Sequence, residues 1–234
     1  DGPKERRRFV DLELCQLNKL YLHNLARYNR VLLQRNRLLK DIPFKPQLED
    51  SLSVWDEELV KYGQAIIRLR REFIENLQDK LIRIHKNISG GREELLLSYE
   101  ENVKEADFLE AIIKARDAEK KQRMTLVGPH RDDLLFQING EDIRKFGSQG
   151  QKRTAALSLK LAEIELVKEK LEDYPILLLD DVFSELDKKR QNFLLDEISD
   201  VQSIITCTGL EDLIENRFPI DKLYYVEGGK IECP

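Results

Sequence analysis

The chain has 234 residues, of which 41% are hydrophobic and 35% are charged. This length can bury one large core or two smaller ones, and the high charge content is typical of long solvated helices. The three cysteines are few, odd in number and far apart, which argues against a disulfide framework and indicates a reducing compartment. The sequence contains no run of about 18 apolar residues and no signal-peptide pattern. We therefore expect a cytoplasmic protein that does not enter a membrane.

Positive charge is concentrated at the start of the chain. Residues 1–40 hold ten basic and four acidic residues, a net charge of +6, which leaves −11 for the remainder. Such asymmetry indicates a local anionic partner. The chain begins Asp1-Gly2-Pro3 and its only methionine is Met124. We expect it to be a piece of a longer protein.

Residues 4–40 contain neither Gly nor Pro, and their apolar residues recur at steps of three and four, which predicts one amphipathic helix. Beside the apolar stripe runs a mostly basic one, consisting of Lys19, His23, Arg27, Arg30, Gln34 and Arg37. Two interpretations stay open. The stripe is either a solvated helix face or a track for nucleic-acid phosphates contacted by Arg27, Arg30 and Arg37.

A second long helix is predicted after Pro43 and Pro46. Its heptad-like stripe runs from Leu48 to Ile88 and stops at Ser89-Gly90-Gly91, which corresponds to roughly 60 Å of helix. A short loop between two long helices favours an antiparallel pair. With a strand at 94–99 and a helix at 102–123, we expect residues 1–123 to form a helical arm domain.

The remaining residues, 124–234, alternate helices with strands, which predicts an α/β layer. Strands are expected at 134–138, 176–180 and 201–207, a helix at 155–170, a tight turn at Asn139-Gly140 and a terminal hairpin around Gly228-Gly229. His130 beside Asp132 and Asp133 is either a structural turn or a metal-ligand set. The spacing matches no defined ligand pattern, which favours the turn.

A glycine-containing turn, residues 147–154, precedes the predicted helix at 155–170. Free backbone N–H groups and the positive end of the helix dipole suit a phosphate, and Lys152 and Arg153 would add positive charge. Because the Gly-Lys-Ser/Thr ending is missing, this is not a nucleotide P-loop. Taken alone, the turn is either a helix cap or a ligand loop.

A short apolar strand ends in the carboxylate pair Asp180-Asp181. In NTPases an acid at the end of a buried strand holds Mg²⁺ and a neighbouring acid orients the attacking water. Asp180 is the candidate for the first role and Asp181 for the second. The alternative is two acids that cap a loop. Asp187 is a plausible N-cap for a helix to Ile198.

Three motifs together resemble a known class of ATPase. Ser148-Gln149-Gly150-Gln151, Leu177-Leu178-Leu179-Asp180-Asp181 and Ser184-Glu185-Leu186-Asp187 are similar to the signature motif, Walker B motif and D-loop of ABC-type ATPases of the DNA-repair branch. With Glu5-Arg6-Arg7-Arg8-Phe9 and Gly128-Pro129-His130-Arg131-Asp132-Asp133, they resemble the RecF family of bacterial recombination mediators. The resemblance covers essentially the whole chain, although the helical half is less distinctive.

The resemblance implies the C-terminal part of an ABC-type ATPase head, residues 124–234, carrying a long antiparallel helical arm. In such a dimer the signature of one subunit closes on ATP held by the Walker A loop of the other. Asp180 would act on Mg²⁺, Asp181 on water and Asp187 across the interface. The residues that would contact the nucleotide in trans are Ser148, Gln149, Gly150 and Gln151. The Walker A loop is absent from this chain, and Thr208 stands where many ABC proteins carry the switch histidine.

By the same resemblance we expect an ATP-dependent DNA-binding homodimer that acts in gap repair, where ATP controls DNA clamping and recombinase loading. Its implied partners are DNA with single-strand/duplex junctions and the mediator protein RecR. The alternative is a catalytically silent helical interaction module that docks a partner protein.

Overall fold

The computed structural model describes residues 2–172, 174–183, 186–208 and 220–233. The chain divides into two compact units, Asp1–Asp173 and Tyr174–Pro234, and each is described by itself. The fold is mixed α/β, mostly helical with small sheets. The functional division at residue 123 into arm and head stays a prediction. Within the described residues, no helix is both long enough and apolar enough to span a bilayer.

Two helices, not one, occupy the first 41 residues. Helix α1 spans Pro3–Leu17 and α2 spans Lys19–Asp41, so the prediction of a single helix over 4–40 was wrong. Asn18 is extended at φ −143°, and its side-chain oxygen accepts hydrogen bonds from the N–H groups of Leu20 and Tyr21. The short Asn side chain satisfies two N-terminal donors of α2 and so stabilises a new helix start.

The long helix α3 spans Leu52–Ile88 and follows a 3₁₀ helix at Pro46–Ser51. Its 37 residues correspond to about 55 Å. Helices α2 and α3 pack antiparallel, as predicted, because Arg35 contacts Asp56 near the connecting loop while Tyr21 contacts Arg70 further away. Helix α4, Phe108–Gln122, packs against both, and it begins later than the predicted helix at 102–123.

Glycine allows the helices to approach closely at Gly63. A Cβ atom there would lie 2.3 Å from Cε1 of Phe108 and 3.0 Å from Cε2 of Tyr28, closer than side chains can pack. Gly128 has φ +131°, and a Cβ there would lie 2.5 Å from the Tyr28 hydroxyl. Tyr28 and Phe108 are both almost fully buried, so the two glycines make room for the aromatic centre of the helical core.

An antiparallel sheet lies beside the helices. Strand β1 is Leu95–Glu100, β2 is Asp133–Ile138 and β3 is Glu141–Asp142, in the order β1-β2-β3. The predicted turn at Asn139-Gly140 is confirmed, with φ +52° and +86°. A short helix α5, Ile143–Phe146, leads to α6, Gln149–Leu171, which packs against α3.

The second unit contains a β-α-β segment and a hairpin. Strands β4, Leu177–Asp180, and β5, Ser203–Thr206, are parallel, and α7, Lys188–Glu197, lies between them in the chain. Strands β6, Tyr225–Glu227, and β7, Lys230–Glu232, form the predicted terminal hairpin around Gly228-Gly229. Parallel strands place their carboxyl ends at the same sheet edge, which sets the position of Asp180.

Candidate nucleotide site

The signature turn, residues 148–151, forms the N-terminus of α6. Ser148 is the N-cap, and its hydroxyl accepts from the N–H of Gln151 at 3.2 Å. In return the side-chain oxygen of Gln151 accepts from the N–H of Ser148 at 2.9 Å. This reciprocal capping box fixes the entry of the helix. The helix therefore begins six residues before the predicted one at 155–170.

The same helix end can receive an anion. Ser148, Gln149 and Gly150 are exposed, and the N–H groups of Gln149 and Gly150 have no acceptor among the described residues. First-turn N–H groups have no intrahelical partner and lie at the positive end of the helix dipole. Lys152 and Arg153 are also exposed. These groups fit a phosphate of an incoming nucleotide.

The second unit presents the paired carboxylates. Asp180 is the last residue of β4 and is exposed. Thr206, at the end of the neighbouring parallel strand β5, donates its hydroxyl to Oδ1 of Asp180. Among the described residues no three His, Cys, Asp or Glu side chains cluster in a way that could hold a metal. Mg²⁺ in nucleotide sites commonly takes one or two carboxylates together with phosphate oxygens and water, which fits Asp180.

Asp181 has an uncommon backbone conformation. It is exposed and lies in the left-handed region at φ +50°, which costs a residue other than glycine about 1 kcal/mol or more. Its N–H donates to the carbonyl oxygen of Thr206 at 3.1 Å and to the Thr206 hydroxyl at 3.2 Å. Strained backbone of this kind is concentrated at functional sites.

Thr206 is a site residue that the sequence reasoning missed. Its hydroxyl donates a hydrogen bond to the carboxylate of Asp180 and accepts one from the backbone N–H of Asp181. The sequence predicts a strand over 201–207 but not its direction. If that strand is placed parallel to the strand at 176–180, Thr206 is expected beside Asp180, because parallel strands end at the same edge of the sheet. Thr208, which by the family resemblance stands where many ABC proteins carry the switch histidine, is exposed.

Asp187 is the N-cap of α7, as predicted, and its side chain accepts from the N–H of Arg190 at 3.0 Å. It is exposed, so its carboxylate is accessible for a contact with a second molecule. The Ser184 and Glu185 part of the D-loop motif lies outside the described residues.

In the loop at 128–133, the three side chains considered as metal ligands, His130, Asp132 and Asp133, each contact a different partner. His130 Nδ1 lies 2.7 Å from the Tyr28 hydroxyl, and burial lowers the pKa of His130 to about 4. Asp132 pairs with Arg70 at 3.1 Å, whereas Asp133 pairs with Arg6 at 2.7 Å. Each acid has its own arginine partner, so the geometry is that of a structural turn.

The basic stripe of α2 faces solvent. Arg27, Arg30 and Arg37 are exposed and form no ion pair with any described residue. Arg35 on the same helix points the other way and is fully buried. Three guanidinium groups spaced along one exposed face can contact phosphates, since each is charged and unpaired in the described part of the chain.

Comparisons with known proteins identify the family. The "DNA replication and repair protein RecF" of Agathobacter rectalis is 57% identical over 232 residues, and that of Clostridium perfringens is 43% identical over 238 residues. These matches cover 99% and 100% of this chain but 64% and 65% of the relatives, so the chain spans about two thirds of their length. No protein-family model matches the chain.

Solved structures agree with these relatives. Structures of the recombination mediator protein RecF of the RecFOR pathway, with ATPγS and with ATP, match the whole chain at 36% identity with TM-scores of 0.87 and 0.89, and the chain covers 64% of each. The Smc head domain of Pyrococcus furiosus shares the fold at a TM-score of 0.52 and 16% identity. The chain belongs to the RecF family.

Proposed function

We propose that the chain is part of an ATP-dependent DNA-binding protein of recombinational DNA repair and gap repair. In this proposal a weak ABC-type ATPase dimerises on ATP, and dimerisation controls DNA clamping and recombinase loading. The observation that carries it is the exposed N-terminus of α6, where the capping box of Ser148 and Gln151 presents free N–H groups to an anion. The match to RecF structures solved with ATP supports the same assignment.

In this proposal the signature turn and the carboxylates have different tasks. The signature turn contacts the ATP of the partner subunit through the N–H groups of Gln149 and Gly150. Bound Mg²⁺ and ATP supply the cation and the phosphoryl group of the reaction. Asp180 holds Mg²⁺, Asp181 orients water and Asp187 acts across the dimer interface. Thr206 keeps the carboxylate of Asp180 in place by donating its hydroxyl.

ATP hydrolysis by the full-length protein tests the carboxylate roles. Asp181→Asn should abolish hydrolysis but retain ATP-dependent dimerisation, because the amide keeps the size of the side chain but cannot accept a proton. Asp180→Asn should lose Mg²⁺-dependent ATP binding. The matched control is Asp196→Asn, since Asp196 is an exposed acid of α7 outside the site. Normal hydrolysis by Asp181→Asn would refute its role.

We propose that the basic stripe of α2 contacts DNA. Replacing Arg27, Arg30 and Arg37 by Ala should weaken binding to all sequences and reduce the slope of log affinity against log salt by about one for each phosphate that the variant no longer neutralises. The matched control neutralises three exposed lysines outside α2, namely Lys121, Lys170 and Lys189. An unchanged salt slope in the arginine variant would remove this stripe from the DNA-binding surface.

The proposal also includes an arm at 1–123, a head portion at 124–234, a cytoplasmic location and two partners, RecR and DNA with single-strand/duplex junctions. Equilibrium binding of RecR and of junction DNA to the full-length protein, with and without ATP, tests these partners. If the full-length protein binds RecR but neither ATP nor DNA, the alternative stands, and the chain is a silent interaction module.

A further inference from the structure

A chain of hydrogen bonds continues from the signature turn into the protein. The side-chain oxygen of Gln151 accepts from Ser148, and its amide nitrogen Nε2 donates to Oε1 of Glu93 at 3.1 Å. Glu93 lies between α3 and β1 and is partly buried. Both ends of the Gln151 amide are therefore engaged, one by the turn itself and one by Glu93.

The second oxygen of Glu93 leads to the long helix. Oε2 lies 3.3 Å from Nε2 of His85, which is fully buried in the last turn of α3. Nδ1 of His85 lies 3.0 Å from the hydroxyl of Ser158 on α6. The single hydroxyl proton of Ser158 is within hydrogen-bond distance of two acceptors, Nδ1 of His85 and the carbonyl oxygen of Thr154. The Thr154 hydroxyl donates to the carbonyl oxygen of Gly150. The contacts thus return to the signature turn and close a ring between α3 and α6.

Donor and acceptor rules fix the directions in this ring. Gln151 must present oxygen to the Ser148 N–H, so its NH₂ group faces Glu93 and requires an acceptor there. An ionised carboxylate accepts at both oxygens, so Nε2 of His85 carries the proton of the neutral ring. Nδ1 then accepts the hydroxyl proton of Ser158. Glu93 is the group that accepts from both sides, and hydrogen bonds to a charged acceptor are the stronger ones.

We propose that Glu93 is a positioning residue for the signature turn, and that through His85 it fixes this turn to the C-terminal end of α3. This inference rests on the proposed contact between the signature turn and ATP of the partner subunit. Without the Glu93 carboxylate, the Gln151 amide has no acceptor at Nε2 and can rotate. The capping box then no longer holds the first-turn N–H groups in one place.

ATP hydrolysis by the full-length protein separates positioning from simple charge. Glu93→Ala should lower the rate about tenfold, the effect of losing one hydrogen bond to a charged group. Glu93→Gln should restore most of it, because its oxygen can accept from Gln151 while its NH₂ group donates to Nε2 of His85 if the histidine proton moves to Nδ1. A normal rate in Glu93→Ala, or equal losses in both variants, would overturn the inference.

Mixed dimers locate the defect. In a dimer of one Glu93→Ala and one Asp181→Asn subunit, one composite site combines an intact signature with an intact Asp181. An equal mixture should therefore recover about a quarter of the wild-type rate, since half the dimers are mixed and each has one working site. No recovery would mean that Glu93 acts on its own subunit's nucleotide or on folding, which contradicts the inference.

Histidine ¹⁵N chemical shifts provide a readout that general destabilisation would not produce. The His85 signals, assigned with His85→Gln, should show a proton on Nε2 in the wild type and on Nδ1 in Glu93→Gln. The same proton position in both proteins would refute the ring. Ser148→Arg distinguishes the two proposals. If it leaves hydrolysis intact, the proposed function fails; if it stops hydrolysis while Glu93→Ala does not, only this inference fails.

Discussion

Arg35 offers the sharpest test of what holds the helical core together. It is fully buried and donates to Asp56 at 2.7 Å, to Glu119 at 2.7 Å and to the hydroxyl of Thr125 at 2.9 Å. These hydrogen bonds join α2 to α3, to α4 and to the loop that follows α4. We predict that Arg35→Met lowers the free energy of unfolding by about 3–5 kcal/mol.

The magnitude follows from the charges. Arg35 and Arg116 balance Asp56 and Glu119, so the cluster is neutral. After Arg35→Met, Asp56 keeps Arg116 at 2.7 Å, whereas Glu119 loses its cation and keeps the backbone N–H of Leu126 at 2.7 Å. A buried charge without its partner costs about 3–5 kcal/mol, but replacing both partners by apolar residues is often neutral or better. Arg35→Met/Glu119→Met should therefore recover most of the loss.

Urea denaturation of the chain measures both effects. Trp55, the only tryptophan in the chain, is partly buried and adjacent to Asp56, so its fluorescence reports on this region. Arg37→Met is the matched control, because Arg37 is exposed on the same helix and should change stability by less than about 0.5 kcal/mol. A loss below about 1 kcal/mol for Arg35→Met, or additive losses in the double variant, would refute the reasoning.

Three further predictions concern stability. The pKa of His130 is about 4 in the folded protein but about 6.5 in an unfolded chain, so the unfolded chain binds the proton first as pH falls. The free energy of unfolding should therefore drop between pH 6.5 and 4 by up to about 3 kcal/mol. His130→Gln should remove this pH dependence from the denaturation profile. Gly63→Ala should lower the free energy of unfolding by about 1–3 kcal/mol in urea titrations, because the added Cβ would lie 2.3 Å from Cε1 of Phe108. Gly150→Ala should not destabilise, because its Cβ would have no neighbour closer than 4.0 Å. Asp181→Gly should be more stable than Asp181→Ala by about 1 kcal/mol, and the reverse order by calorimetry would contradict the left-handed backbone.

Hydrophobic periodicity predicted the long helices and the longer strands, but it did not predict the helix break at Asn18. The apolar steps of three and four continue across residue 18, so a pattern of hydrophobicity alone predicts one helix. The break depends on a local hydrogen bond: the Asn18 side chain accepts from two N–H groups, which lets a new helix start there. Asn within a helical pattern is ambiguous in sequence, because it is tolerated inside helices and favoured at caps.

Buried charge was the second feature that the sequence pattern missed. The buried face of α2 includes Val31, Arg35 and Leu39, so an arginine occupies a core position and was counted among the basic residues available to a partner. Arg6 is likewise paired, with Asp133 at 2.7 Å. Whether a charge is solvated or paired depends on residues far apart in the chain, such as Arg35 and Glu119, and only tertiary structure brings those together.

The carboxylate pair and the signature turn were recognisable in sequence because each is a continuous motif, but the groups that orient them were not. Thr206 reaches Asp180 from a neighbouring strand, and Glu93 reaches Gln151 from beyond the end of α3. Both supporting residues are separated in sequence from the group that they hold. Glu93 and His85 hold the Gln151 amide at the end of the 37-residue helix α3. The signature turn therefore cannot change its geometry independently of α3. Under the proposal that the basic stripe of α2 binds DNA, α2 packs against α3, and the ring through His85 connects α3 to the signature turn. If DNA changes the rate of ATP hydrolysis by the full-length protein, Glu93→Ala should reduce that change without weakening DNA binding.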